Sequence, residues 1–107
     1  MDPIHDGRIP LDIQKTYRQE FSQGVKLFQA SLSEYENTTD ENKKARFKDV
    51  MDKALHAMNE AARGFLGPKS QEVQTHLQTD YQAFLNNDTP ETYKKLNNDL
   101  NHLKSIG

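Results

Sequence analysis

The chain has 107 residues, of which 14 are lysine or arginine and 16 are aspartate or glutamate, and its formal net charge is −2. This length corresponds to one domain, and the near balance of charge argues against a dedicated nucleic-acid binder, which is usually clearly basic. The absence of cysteine excludes a disulfide framework and a thiolate nucleophile or metal ligand.

Residues 1–9 predict a short arm ahead of the folded domain. Pro3 and Gly7 interrupt regular structure there, and Ile4 and Ile9 are expected to pin the arm across the open end of the domain. The segment lacks the basic start and the apolar run of a signal peptide, and no apolar stretch approaches the roughly 20 residues that cross a membrane. We therefore expect a cytoplasmic protein without membrane insertion, and secretion by a route without a cleavable signal is the alternative.

Four segments after this arm repeat apolar residues every three or four positions, which is the period of a helix and not of a strand. Ile13 and Tyr17 extend the first series towards its start. The apolar seams are Phe21, Val25, Phe28, Leu32 and Tyr35; Phe47, Met51, Ala54, Met58, Ala61 and Phe65; Val73, Leu77, Tyr81 and Phe84; and Tyr93, Leu96, Leu100 and Leu103.

Helix start and stop signals separate these segments. Thr38 and Glu41 have the spacing of a capping box, in which each side chain bonds the free backbone N–H of the other residue. The pair Gly67–Pro68 predicts a left-handed residue that ends one helix, followed by the first residue of the next. The pair Thr89–Pro90 predicts an N-cap and the first position of the last helix.

The predicted fold is all-α: an antiparallel up-down-up-down four-helix bundle with a short N-terminal arm, the bundle occupying residues 10–107. The short connections favour antiparallel neighbours. A long-helix hairpin completed by a second chain is the alternative, because 34% hydrophobic residues supply only a lean core. The helices are expected near residues 11–37, 40–66, 68–86 and 90–106.

Three histidine–carboxylate pairs have helical spacing and raise the question of a metal site. Four-helix bundles hold di-metal centres through carboxylates and Glu-x-x-His pairs that face the core. None of the three histidines falls on a predicted seam, so we expect no metal site and no cofactor, and exposed histidines beside helical carboxylates instead. The pairs are His56 with Glu60, His76 with Asp80, and Asp99 with His102.

The surroundings of His56 resemble the motif of histidine-phosphotransfer domains, which are four-helix bundles of about this size. Met58 stands where that motif has leucine, and Phe65 has the offset of its later phenylalanine. The motif's lysine and glycine are replaced by Asn59 and Glu60, and the carboxylate would repel a phosphoryl group. The resemblance implies an exposed phospho-accepting His56 on the second helix.

No other motif predicts catalysis. A Gly-rich phosphate loop and a Gly-x-Ser-x-Gly elbow are both missing from the sequence. A narrow bundle with an apolar seam leaves little room for a ligand pocket of about 300 Å³ or more. We therefore expect no catalytic residue and a protein that is not an enzyme.

Two surfaces are candidates for contact with a partner. The third segment is poor in charge between Glu72 and Asp88 and carries glutamines along one stripe, and interfaces lose charge at their centre while keeping hydrogen-bonding groups. A smaller basic patch lies early in the second segment. The candidate residues are Gln71, Gln74, Gln78 and Gln82 in the stripe and Lys43, Lys44, Arg46 and Lys48 in the patch.

These patterns favour a small non-enzymatic module that acts through protein–protein interaction in a regulatory or adaptor-like role. The expected partner is another protein, or a second copy of the chain in a homodimer, and not a nucleic acid. A phosphotransfer-like signalling domain built on His56 is one alternative function. A toxin-neutralising or secretion-associated small bundle is another.

Overall fold

The computed structural model describes residues 11–106, and the arm predicted at residues 1–9 lies outside that range. The described residues form a helical bundle, and the predicted all-α class is confirmed. Its helices are α1 (Leu11–Asn37), α2 (Glu41–Leu66), α3 (Ser70–Asn86) and α4 (Pro90–Ile106), with a 3₁₀ turn at Gly67–Lys69 between α2 and α3.

The core is apolar and draws on all four helices. The predicted seams supply most of it, and Leu55 and Ala62 are buried in addition to the predicted set. The seam residues that are only partly buried are Tyr35, Phe47, Phe65, Val73 and Tyr93, and Ile13, predicted to extend the first seam, is 45% exposed. The buried apolar side chains pack on one another within one chain. The buried apolar residues are Phe21, Val25, Phe28, Leu32, Met51, Ala54, Leu55, Met58, Ala61, Ala62, Leu77, Tyr81, Phe84, Leu96, Leu100 and Leu103.

Helices α1 and α2 form the most extensive contact. The Phe21 ring meets the edge of Phe65 with centroids 5.3 Å apart, and Lys44 Nζ lies 4.6 Å from the centroid of the Tyr35 ring. These two pairs join the early part of each helix to the late part of the other. At Gly24 the backbones approach so closely that a Cβ atom would lie 2.7 Å from Cγ of Met58.

Helices α3 and α4, which are shorter than α1 and α2, pack against each other. Phe84 and Tyr93 have ring centroids 6.2 Å apart beside the connecting loop. Farther from the loop, His76 Nε2 lies 3.0 Å from Oδ1 of Asp99. Nε2 of Gln29 on α1 donates hydrogen bonds to Oδ1 of Asn97 and Oδ1 of Asn101 on α4.

The helix ends agree with the predicted signals at one connection and differ at two. The N-cap of α2 is Asp40, whose Oδ1 accepts from the backbone N–H of Asn42 at 2.9 Å and of Lys43 at 3.4 Å. The predicted capping box of Thr38 and Glu41 is therefore wrong, and the Thr38 hydroxyl accepts instead from the Asp40 N–H.

The other two connections involve the predicted Gly and Pro signals. Gly67 has φ +61°, the positive value predicted for it, but Pro68 lies in the 3₁₀ turn, so α3 begins at Ser70 and not at the proline. Thr89 caps α4 as predicted, since its Oγ1 accepts from the Thr92 N–H at 3.2 Å.

None of the helices between residues 11 and 106 has both the length and the hydropathy to cross a membrane.

Candidate functional site

The outward side of α3 carries polar, uncharged side chains over about three turns. We call the exposed set Gln71, Thr75, Gln78, Thr79 and Gln82 the amide face. The Thr79 hydroxyl is already used, since it donates to the Thr75 carbonyl at 2.8 Å. The three glutamine amides project into solvent, so the face offers donors and acceptors without formal charge.

Two shallow depressions lie along the amide face. One, of about 680 Å³, includes Gln71 and Thr75 together with His76. The other, of about 540 Å³, includes Gln78 and Gln82. The face is thus gently concave at both ends and offers a surface on which another molecule can lie.

Gln74 does not belong to this exposed face. It is half-buried, and its Nε2 donates to the backbone carbonyl of Asn59 on α2 at 3.3 Å. Of the four glutamines predicted as one stripe, Gln74 therefore holds α3 against α2, and the other three remain exposed.

The predicted basic patch on α2 is divided among separate contacts. Lys44 lies over the ring of Tyr35, and Lys48 Nζ bonds Oδ2 of Asp52 at 2.9 Å. Lys43 and Arg46 line a depression of about 460 Å³ that also contains Glu34, Asn37, Thr38 and Phe47. Two of the four cations thus contact neighbours within the bundle, and the other two line this depression.

His56 is exposed on α2, as predicted, on the side away from the core. Glu60, four residues later, is bonded by Arg63 Nη1 at 3.4 Å. The helix therefore presents an open imidazole at His56, and a nearby Glu–Arg pair stands where the phosphotransfer motif has glycine.

The groove between α3 and α4 contains a cluster that joins the predicted pair of His76 and Asp80 to Asp99, which belongs to another of the predicted pairs. His76 Nε2 lies 3.0 Å from Oδ1 of Asp99 and 3.5 Å from Oδ2 of Asp80. We call His76, Asp80 and Asp99 the groove triad. The groove has a volume of about 490 Å³, and its lining includes Glu72 and His102.

The two carboxylates of the groove triad are shielded from water. Only 19% of the Asp80 side chain and 15% of the Asp99 side chain are exposed, against 71% for His76. Burial, reinforced by the neighbouring Asp80 carboxyl, raises the pKa of Asp99 to about 6, although His76 acts in the opposite direction. Oδ2 of Asp99 is buried and has no hydrogen-bond partner within the described part of the chain.

A search for histidines on the apolar seams does not find this cluster, but the positions of its residues relative to the α3–α4 loop indicate it. Asp88 lies in the loop between α3 and α4, and His76 and Asp99 lie at nearly equal distances along the chain before and after it. Two helices that fold back at this loop place such residues side by side, at the flank of the seam and not in the core.

The fold and its surfaces define a small all-α bundle with an uncharged face on α3 and a histidine–carboxylate cluster beside it. Comparison with protein-family models, curated proteins and solved structures gave no match.

Proposed function

We propose that the protein is a small non-enzymatic module that binds another protein through the amide face of α3. The observation that carries the proposal is the exposed, charge-free surface formed by Gln71, Thr75, Gln78, Thr79 and Gln82. The role envisaged is regulatory or adaptor-like, in the cytoplasm, as expected from the sequence.

The free-energy cost of removing water from a surface depends on whether its side chains are charged. Charged side chains are depleted from interface centres because their desolvation is expensive, whereas amides exchange hydrogen bonds with water for hydrogen bonds with a partner. Glu72 and Asp88 flank this segment in the sequence, but the five residues that compose the face carry no charge. The absence of charge from these exposed residues supports a contact surface.

A different protein is the proposed partner in preference to a second copy of this chain. The alternative fold required a second chain to complete a lean core, but the buried apolar side chains already come from all four helices of one chain. The amide face is also polar, while homodimer interfaces are typically more apolar than the rest of the surface. A homodimer is tested in the same experiment.

The test introduces charge at the centre of the amide face. In Gln78→Lys with Gln82→Lys, two lysines four residues apart replace exposed glutamines, and the matched control Gln19→Lys with Gln23→Lys makes the same change on α1, where both glutamines are exposed. The tagged protein is used as bait in its native cells, and co-purifying proteins are quantified by mass spectrometry.

The expected result is a partner whose recovery falls at least tenfold with the α3 variant and is unchanged with the α1 control. A tenfold loss corresponds to about 1.4 kcal/mol of binding free energy. Equal recovery with both variants contradicts the proposal. Light scattering across a concentration series reports self-association, and a dimer dissociated by the α3 variant alone would identify a second copy as the partner instead.

The phosphotransfer alternative remains a prediction about His56. Incubation with a phosphohistidine donor kinase should then label the wild-type chain and not His56→Ala, with His102→Ala as the exposed-histidine control. The toxin-neutralising or secretion-associated alternative has no residue-level observation in its favour.

A further inference from the structure

The groove triad brings together one imidazole nitrogen and two carboxylate oxygens from two helices. The three possible ligand atoms of His76, Asp80 and Asp99 lie within 4.8 Å of one another. His76 and Asp80 are four residues apart on α3, so their side chains project from the same side of that helix. Asp99 is added from α4, which closes the cluster from the opposite wall of the groove.

The distances agree with those between ligands of one metal ion. Two ligands that are each about 2.0–2.1 Å from a tetrahedral Zn²⁺ are about 3.4 Å apart. In the groove triad His76 Nε2 is 3.0 Å from Asp99 Oδ1 and 3.5 Å from Asp80 Oδ2. These two distances are within a few tenths of an ångström of the value for a shared ion, and the two carboxylate oxygens lie within 4.8 Å of each other.

An independent observation is the orphaned oxygen of Asp99. Its Oδ2 atom is buried without a hydrogen-bond partner among residues 11–106, and a buried polar atom left unpaired is unfavourable and uncommon. The second carboxylate, from Asp80, lies beside it. A cation bound beside these two carboxylates would give the unpaired oxygen of Asp99 a partner.

We propose that His76, Asp80 and Asp99 bind a divalent transition-metal ion of the Zn²⁺ type in the groove between α3 and α4. One imidazole and two carboxylates suit Zn²⁺, Co²⁺ or Mn²⁺ better than Mg²⁺ or Ca²⁺, which prefer oxygen ligands alone. Three protein ligands leave at least one coordination position open to water in the groove. The inference is independent of the proposed protein-binding function, because the amide face includes none of the three ligands.

The competing interpretation is a simple ion pair between a protonated His76 and the two aspartates. Such a pair accounts for the 3.0 Å contact but leaves Asp99 Oδ2 unpaired. The two interpretations differ in one measurable property, which is saturable binding of a metal ion with one ion per chain.

The experiment is isothermal titration calorimetry of Zn²⁺ into the full, untagged chain near pH 7.5, with Co²⁺ absorption spectroscopy as a second readout. The variants are His76→Ala and Asp99→Asn. The control is His56→Ala, which removes another exposed histidine that has a glutamate four residues later on the same helix. Among residues 11–106 that pair is not joined by a third possible ligand from a neighbouring helix, so the control tests whether an isolated helical pair suffices.

We expect one Zn²⁺ per chain, with the dissociation constant raised at least about tenfold by His76→Ala and by Asp99→Asn and changed less than twofold by His56→Ala. Loss of a group that merely orients a ligand already costs 10- to 100-fold in affinity, so loss of a ligand should cost no less. Co²⁺ should give visible absorption bands that Zn²⁺ abolishes, and Mg²⁺ should not compete.

Three results would overturn the proposal: no saturable binding, binding unaffected by His76→Ala, or an equal loss with His56→Ala. Far-UV circular dichroism verifies that each variant is folded. His76 is 71% exposed, so its replacement leaves the core intact, and this variant decides the question even if Asp99→Asn is unstable. The Gln78→Lys with Gln82→Lys variant should retain Zn²⁺ binding, which separates failure of this inference from failure of the proposed function.

Discussion

The hydroxyl of Tyr81 donates a hydrogen bond of 2.6 Å to Oδ1 of Asp52 and so joins α3 to α2. The Tyr81 ring is buried and meets the edge of Phe28 with centroids 5.0 Å apart. The other oxygen of Asp52 accepts from Lys48. One residue thus combines apolar burial in the core with a charged hydrogen bond at the margin of the bundle.

Replacing Tyr81 with phenylalanine should lower the free energy of unfolding by about 1.5 kcal/mol near pH 7. This value is the lower end of the range for a hydrogen bond to a charged group, and it is chosen because Asp52 is partly exposed to solvent. Urea unfolding measures this change. The control is Tyr93→Phe, because the Tyr93 hydroxyl forms no hydrogen bond with the described residues. Equal destabilisation by the two variants would contradict the assigned role of the Asp52 contact.

The same contact predicts a pH dependence. Partial burial tends to raise the pKa of Asp52, but hydrogen bonds from Tyr81 and Lys48 outweigh it and hold that pKa below the ordinary 3.8. A depressed carboxyl pKa contributes stability that is present above the unfolded value and is lost as pH falls through the folded value. The difference between wild type and Tyr81→Phe should therefore shrink below about pH 4.

The N-cap of α2 can be identified by mutation. Asp40→Ala should cost about 1 kcal/mol of stability, because the Asn42 N–H and the Lys43 N–H lose their common acceptor. Thr38→Ala should cost less than about 0.5 kcal/mol, because Thr38 accepts only one longer bond outside the helix. The reverse order in chemical denaturation would favour the capping box that the sequence predicts.

Glu36 at the end of α1 should destabilise the folded chain as pH rises. Burial, followed by the neighbouring Asp88 carboxyl, raises the pKa of Glu36 from 4.5 to about 7. The folded state then binds more protons than the unfolded state between these two values, so stability falls with rising pH in that window. Glu36→Gln should remove this fall and be more stable than wild type at pH 8, with little difference at pH 4. Denaturation midpoints from pH 4 to 8 test this against Glu34→Gln, which removes a carboxylate from the same helical turn.

The contribution of α4 to the single core can be measured with a pair of leucines. Leu100 is fully buried, and Leu100→Ala should cost about 2–5 kcal/mol because it leaves a cavity. Leu27 is 50% exposed, so Leu27→Ala should cost well under half of that. Similar small costs at both positions would show that α4 is not part of the cooperative core, as in the long-helix hairpin alternative.

The sequence predicts the helices well because their apolar period is regular over many turns. The buried residues from Phe21 to Leu103 follow that period closely. The cap of α2 was mispredicted because Thr38 and Asp40 are both good N-cap residues, and only the backbone path decides which one faces the free N–H groups. The 3₁₀ turn displaced the start of α3 for a similar local reason.

The candidate site was less accessible to sequence reasoning. The exposure of Gln71, Gln78 and Gln82 follows from periodicity, but Gln74 lies at the edge of the buried side, and its bond to Asn59 depends on how α2 and α3 pack. The groove triad was not predicted, because helical spacing identifies only pairs of residues within one helix. Joining His76 to Asp99 requires the register between α3 and α4, which is set by tertiary packing.

The missing side chain at Gly24 restricts how α1 and α2 can assemble. A methyl group there would lie 2.7 Å from Cγ of Met58, so in the observed alignment Met58 would have to shift. Sliding α1 by one turn would bring Phe21 or Phe28 to the same place, and each of these side chains is far larger than a methyl group. The absence of a side chain at residue 24 therefore disfavours alignments of α1 and α2 that are shifted by a turn.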